Sequence, residues 1–351
     1  MYAPFIPHVR RLLDLYGVTM TFVDVGARNG VLELRTLAPY ILAYGFEPNA
    51  EEYAKLTSGN TDVAQLGVRP PAFKKLTYFP YAIGDICGQR PLHVTRGPGA
   101  VGILEPNLER LREIKWKERR CQPNFGDETF TVMRIEPVEV KTIEWVAQQH
   151  GIGHVDYLKV DVEGFEYEVL EGAGALLDAI SLIRVEVCFI PFRKEQKMFS
   201  DVDLLLRKHG FDLLQYEIVP GQVGYKERED AFTIGPSIGF PDRYGQPLSC
   251  DAIYVNRGVK DETRSAALAA LLIEKNYLDE ALFVLKTRLP NAPPDLLALL
   301  QTYKGDMRTQ LFEAVVRSYR VFQKLVHPIR SLRRWLGWRR LAARGVVRAA
   351  Q

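Results

Sequence analysis

Lys159, Asp161 and Glu163 stand at alternate positions where a short apolar run ends before Gly164. The period of a strand puts all three on one face. A lysine and two carboxylates converging there can serve as general base, substrate clamp or divalent-cation ligands. A burial-raised pKa on Asp161 or Glu163 would suit removal of a hydroxyl proton. Glu186, inside the β-branched run 181–189, could join Asp161 around a divalent cation that lowers a hydroxyl's pKa. The glycine-and-carboxylate pattern is complete without a metal, so no metal ligand is assigned. The plainer alternative is a solvated strand end with a helix-capping acid.

A second set of such residues lies near the start, in Phe22-Val-Asp-Val-Gly-Ala-Arg-Asn-Gly30. Residues 20–25 are apolar or β-favouring and read as a short buried strand. Gly26 and Gly30 open a turn, and apolar residues at helical spacing predict a helix over 31–37. Such a turn lets a ligand approach the backbone, with helix N-terminal amides aimed at it. A second apolar run, 41–46, ends in Glu47, placed to accept hydrogen bonds from ribose hydroxyls. Together these residues describe the nucleoside half of a Rossmann-like cofactor site; the plainer alternative is any buried strand with a tight turn.

The elements that must position these residues alternate along the chain. A helix is predicted over 8–17, ended by Gly17, and Asn49 caps another with Glu51 and Glu52 in its first turn. A third strand is predicted over 76–83, running into Gly84 and Asp85, and a fourth over 91–95. Residues 96–131 read as a loop with a charged helical insert, suited to cover a site. Then follow a strand over 138–142, a helix over 143–150 before Gly151, and a strand over 155–160. Strands over 181–189, 211–216 and 252–255 and a helix over 199–209 complete the pattern. Alternation of this kind implies a mostly parallel sheet covered on both faces. Ligands of such sheets bind at the strands' C-terminal edge, where Gly30, Glu47, Asp85 and Asp161 fall.

The 351 residues suit one large domain, 1–258, and a helical extension, 259–351. Helices over 264–275 and 278–287 form a single antiparallel pair, too few to stack as a repeat and expected to pack on the main domain. Another helix is predicted over 310–325. Ten basic and no acidic residues follow Glu313, which leaves 36 basic against 43 acidic residues before that tail. With Trp335 and Trp338 among its arginines, the segment 317–348 suits an anionic membrane surface, with the protein's own acidic body as alternative and nucleic acid unlikely to be its target. Cys87, Cys121, Cys188 and Cys250 lack metal-type spacing and read as free thiols of a reducing compartment. With no leader pattern and no run long enough to span a bilayer, a cytoplasmic protein is expected, peripheral at the membrane's inner face if the tail docks there.

Four motifs in order, across about residues 20–256, carry a family resemblance. The run 22–30, Gly45-Phe-Glu-Pro-Asn49, Ala82-Ile-Gly-Asp85 and above all Asp156-Tyr-Leu-Lys-Val-Asp-Val-Glu-Gly-Phe-Glu-Tyr-Glu-Val-Leu-Glu-Gly172 resemble the FkbM-type S-adenosylmethionine-dependent methyltransferases. The resemblance implies a seven-stranded Rossmann-like sheet with an antiparallel last strand, and methyl transfer to oxygen, commonly a sugar or polyketide hydroxyl. It implies that Asp24, Gly26 and Gly30 shape the methionine end of the cofactor site. Glu47 would hold the ribose, and Ala82, Ile83 and Asp85 would lie near adenine. Asp161 and Glu163 would face the transferring methyl, Asp161 as base, with Glu163 or Lys159 orienting the acceptor. Arg28 departs from the asparagine usual there; it can contact the cofactor carboxylate or crowd the pocket. The expected activity is O-methylation of a sugar in a glycan, glycolipid or glycosylated metabolite. A nucleotide-cofactor oxidoreductase lacks its G-x-G-x-x-G here, and a non-catalytic scaffold rests on Arg28 and the helical extension.

Overall fold

The computed structural model describes residues 3–115, 127–217, 223–226 and 246–303. The predicted helix over 310–325 and the basic segment 317–348 lie outside them. The strands are β1 (Met20–Val25), β2 (Ile41–Phe46), β3 (Lys75–Phe79), β4 (Ala82–Ile83), β5 (Gly88–Thr95), β6 (Ile114–Lys115), β7 (Val132–Lys141), β8 (Val155–Val160), β9 (Ile180–Cys188), β10 (Phe211–Glu217), β11 (Val223–Lys226), β12 (Gln246–Pro247) and β13 (Ser249–Asn256). The helices are α1 (Ile6–Leu15), α2 (Ala50–Ser58), α3 (Asp62–Gln65), α4 (Leu108–Arg112), α5 (Ile143–His150), α6 (Glu166–Glu171), α7 (Phe199–Lys208), α8 (Glu262–Glu274), α9 (Leu278–Arg288) and α10 (Pro294–Thr302).

Seven strands form the main sheet in the order β10-β13-β9-β8-β1-β2-β3. Six run in one direction, while β13 lies antiparallel between β9 and β10. Central strands are buried on both faces, as a sheet covered by helices on each side requires. One face packs on α5, α6 and α7 through residues such as Val146, Leu170 and Leu206. The other carries α8, with α1 and α9 beside it. Every residue of α8 from Ser265 to Ile273 is buried, which a helix apolar all round demands. One compact unit runs from Met1 to Leu297, so α8 and α9, although they follow residue 258, share it with the sheet.

Two predicted elements come out differently. The third strand splits at Pro80: β3 edges the main sheet, while β4 joins a separate three-stranded sheet with β7 and β5. No helix follows Gly30. Leu34 adopts φ 56°, which breaks the helical run despite its apolar spacing, and only a 3-10 turn, Ala38–Tyr40, forms before β2.

Candidate active site

The ends of β1, β2 and β8 are tied together by backbone bonds: Gly26 and Ala27 donate to Phe46, and Asp161 donates to Val25. This knot is possible only because residue 26 lacks a side chain. Gly26 has φ 89°, and a Cβ there would lie 1.9 Å from the Asp161 carbonyl oxygen. Gly30, at φ 104°, closes the turn on Ala27. Asn29, between them in sequence order, also takes a left-handed conformation; its Oδ1 is buried and accepts no hydrogen bond.

A cavity of about 370 Å³ opens at this edge. Of the residues assigned from sequence, Gly26, Arg28, Glu47, Ala82, Ile83, Lys159, Asp161 and Glu163 line it, whereas Asp24, Gly30 and Asp85 do not. Asp24 sits behind the wall, bonded to Lys159, and burial raises its pKa to about 6. Asp85 pairs at 3.5 Å with Arg90. Glu47 is 7% exposed. Its Oε1 accepts from the Asn49 amide at 2.8 Å, and burial raises its pKa to about 7. Asn49 in turn caps α2, accepting from Glu51 and Glu52. Arg28 reaches the cavity wall but its guanidinium is engaged elsewhere, 2.9 Å from Asp62 and 3.3 Å from Glu52.

At the end of β8, the Lys159 ammonium lies 3.3 Å from Asp24 and 3.4 Å from Asp161. Glu163 is not placed by strand period: β8 has ended, and a left-handed turn at Glu163 (φ 61°) and Gly164 (φ 107°) aims it. Glu166 shapes that turn, accepting from the amides of Val162 and Gly164. Carboxylate oxygens of Asp161, Glu163 and Glu186 come within 4.8 Å of one another. Burial, and then the neighbouring Asp161, raise Glu163 to about 8 against the pull of Arg193; Glu186 is raised well above the carboxylate range.

Three participants escaped sequence reading. Arg193, 1% exposed, donates to Ala100 at 2.7 Å and lies 3.3 Å from Glu163. It joins the turn at Glu163 and Gly164 to the loop at Ala100, yet sequence shows only one arginine in a charged connection. Arg134 on β7 pairs with Glu51 across the cavity, an ion pair that only the second sheet creates. Asn29 carries a signal in the sequence, a polar residue inside the glycine turn.

A buried, unsatisfied Asn29 oxygen beside the turn fits a ligand with an amino group. The Glu47 carboxyl fits one with a vicinal diol. Both belong to S-adenosylmethionine, so the residues present fit that cofactor. Solved structures of similar shape include magnesium protoporphyrin IX methyltransferase from Synechocystis PCC 6803 with bound SAM, 11% identical over 72% of this chain and 79% of that one, TM-score 0.30. StiE O-MT is 10% identical over 77% and 80%, TM-score 0.31. Precorrin-6y C5,15-methyltransferase from Geobacter metallireducens is 8% identical over 71% and 88%, TM-score 0.30. No curated protein matches the chain in sequence. The model of the methyltransferase FkbM domain matches residues 24–213, from the buried Asp24 through the turn at Glu163 and Gly164 to β10, and the chain therefore belongs to the FkbM family of S-adenosylmethionine-dependent methyltransferases.

Proposed function

We propose that this methyltransferase transfers its methyl group to oxygen, on a hydroxyl of a sugar in a glycan, glycolipid or glycosylated metabolite. The observation that carries this reading is one cavity lined by Gly26, Asn29 and Glu47 together with Asp161 and Glu163. S-adenosylmethionine bound there supplies a methyl group already activated on a sulfonium. The protein's work is then placement and proton removal. Asn29 and the glycine turn hold the amino-acid end, Glu47 holds the ribose, and Ala82 and Ile83 flank the base. Glu163, with a pKa near 8 and Arg193 beside it to stabilise its charge, accepts the hydroxyl proton. Asp161, held by Lys159, orients the acceptor. Placing the base on Glu163 departs from the sequence expectation, which put it on Asp161; the reason is the raised pKa.

The 4.8 Å grouping of Asp161, Glu163 and Glu186 favours a second reading, a divalent cation that activates the hydroxyl. Arg193 and Lys159 already supply positive charge to two of these groups, which weighs against it. No described helix is long and apolar enough to cross a membrane. The basic segment 317–348 supports docking on an anionic bilayer, where a lipid-linked acceptor would be presented.

Titration calorimetry with S-adenosylmethionine and S-adenosylhomocysteine tests the cofactor assignment, with Glu47→Ala as control. Binding by neither ligand at millimolar concentration, in folded protein, would sink it. An acceptor screen with radiolabelled donor, with and without EDTA, tests the rest. Turnover confined to nitrogen acceptors would overturn O-methylation.

A further inference from the structure

In sheets of this kind the turn after the first strand normally runs into a helix, which both covers the sheet and braces the turn against its ligand. Here residues 31–37 form no helix, and the sheet face is covered by α8 instead. The segment has few backbone bonds of its own: Val31 donates to the Tyr78 hydroxyl and Leu37 to Leu34. Arg35 donates to the Arg69 carbonyl at 2.8 Å, and further anchors come from the far end of α8. The Thr36 amide donates to Glu274 at 3.3 Å, and Glu33 pairs with Lys275. Glu33 is largely buried, and it also pairs with Arg184 and accepts from the Tyr157 hydroxyl at 2.9 Å. The Lys275 ammonium stands 5.0 Å from the centre of the Tyr157 ring, so the pair packs against β8.

We propose that the C-terminal end of α8 is a positioning device for cofactor binding: Lys275 grips Glu33, and Glu274 receives Thr36, so that the loop leaving Gly30 keeps the turn open to its ligand. Neither residue lines the cavity; both act through the loop. Burial alone would raise the Glu33 carboxyl, yet Lys275 and Arg184 bring it to about 2, so Glu33 meets the Lys275 ammonium as a carboxylate at neutral pH. The grip spans 242 residues of sequence. A segment beyond the residues matched by the family domain thus takes over the bracing that a helix after β1 would supply.

The proposal rests on the cavity being the cofactor site, and its test separates the two. Lys275→Met keeps the aliphatic stem and removes the charge, Lys275→Arg restores it, and Glu280→Gln removes a different ion pair, that of α9 with Arg257. In the full chain, calorimetry with S-adenosylhomocysteine is expected to show roughly tenfold or greater weakening for Lys275→Met, recovery for Lys275→Arg and no change for Glu280→Gln. Amide exchange in the ligand-free protein is expected to quicken about tenfold over 31–37 in Lys275→Met, with 266–273 unchanged. Unaltered affinity and exchange in Lys275→Met would overturn the proposal, as would an equal loss in Glu280→Gln. Absence of binding by the parent protein would refute the cofactor assignment instead, and exchange over 31–37 would then decide this proposal alone. If Lys275→Met does not fold, Glu33→Gln is read in the same way.

Discussion

Cofactor affinity is expected to rise with pH through the titration of Glu47. Its carboxyl is pushed up to about 7, first by burial and further by Glu52, against the Asn49 amide and Arg28. A ribose diol donates hydrogen bonds, and only the ionised carboxylate accepts them at full strength. If the bound complex requires that form, the dissociation constant is multiplied by about 1 + 10^(7 − pH). S-adenosylhomocysteine should then bind about thirtyfold more weakly at about pH 5.5 than at about pH 8.5, a difference of about 2 kcal/mol. Binding at about pH 6.5 should release most of one proton, read by calorimetry in buffers of different ionisation enthalpy. Glu47→Gln keeps an acceptor but no charge. It should weaken binding at high pH by roughly 10- to 150-fold, the value of a charged hydrogen bond, and abolish the slope. An affinity flat from about pH 5.5 to 8.5, or a slope that survives in Glu47→Gln, would refute the assignment of Glu47 to the ribose.

With any acceptor that turns over, kcat/KM should rise with pH and level off above about 8, because Glu163 acts as base only once ionised. Glu163→Gln should flatten that limb and lower the rate by roughly 10²- to 10⁴-fold; a retained limb would move the base elsewhere. Gly26→Ala drives a methyl into the Asp161 carbonyl at an unfavourable φ, and should cost about 2–5 kcal/mol, or roughly 3–7 °C in melting temperature. A melting curve like that of the parent would contradict the strand-end geometry. Glu166 is raised from 4.5 to about 7, so the stability it contributes is present below 4.5 and lost as pH rises through about 7. Glu166→Gln, which keeps an acceptor for Val162 and Gly164, should stabilise the ligand-free protein by on the order of 3 kcal/mol at about pH 8 and little at about pH 4.5, measured by urea unfolding.

Much of the site was legible because its signals are local. Asn49 sits two and three residues from the amides it caps, and Glu47 two residues from the amide it accepts, so composition alone fixes both relations. The helix over 143–150 and the strand over 155–160 match in full, since each is bounded by its own stop residue and carries one uniform pattern. Local signals also misled. Apolar residues at 31, 34 and 37 repeat as in a helix, but the face they would bury against is taken by α8. Periodicity reports which residues want burial; it does not report which element arrives first at a given face of the sheet.

The charges that matter most were legible only as unassigned ions. Glu33, Arg193 and Lys275 look like solvated surface residues, and nothing within ten residues of any of them signals otherwise. Arg193 is buried and Glu33 and Lys275 are half-buried because the topology brings each a partner from a remote segment: Arg184 and Lys275 to Glu33, Glu163 to Arg193. A buried charge without its partner costs several kcal/mol, so these pairs form together or the fold does not close around them. Their effect on the site is electrostatic as much as structural. Asp161, Glu163 and Glu186 lie too close to ionise together without compensation, and burial drives two of them up. Arg193 counters that drive at Glu163, which comes to about 8, while Glu186 stays well above the carboxylate range. The proposal that Glu163 is the base rests on where the β9–α7 connection delivers a guanidinium, a property of the closed fold that no window of sequence contains.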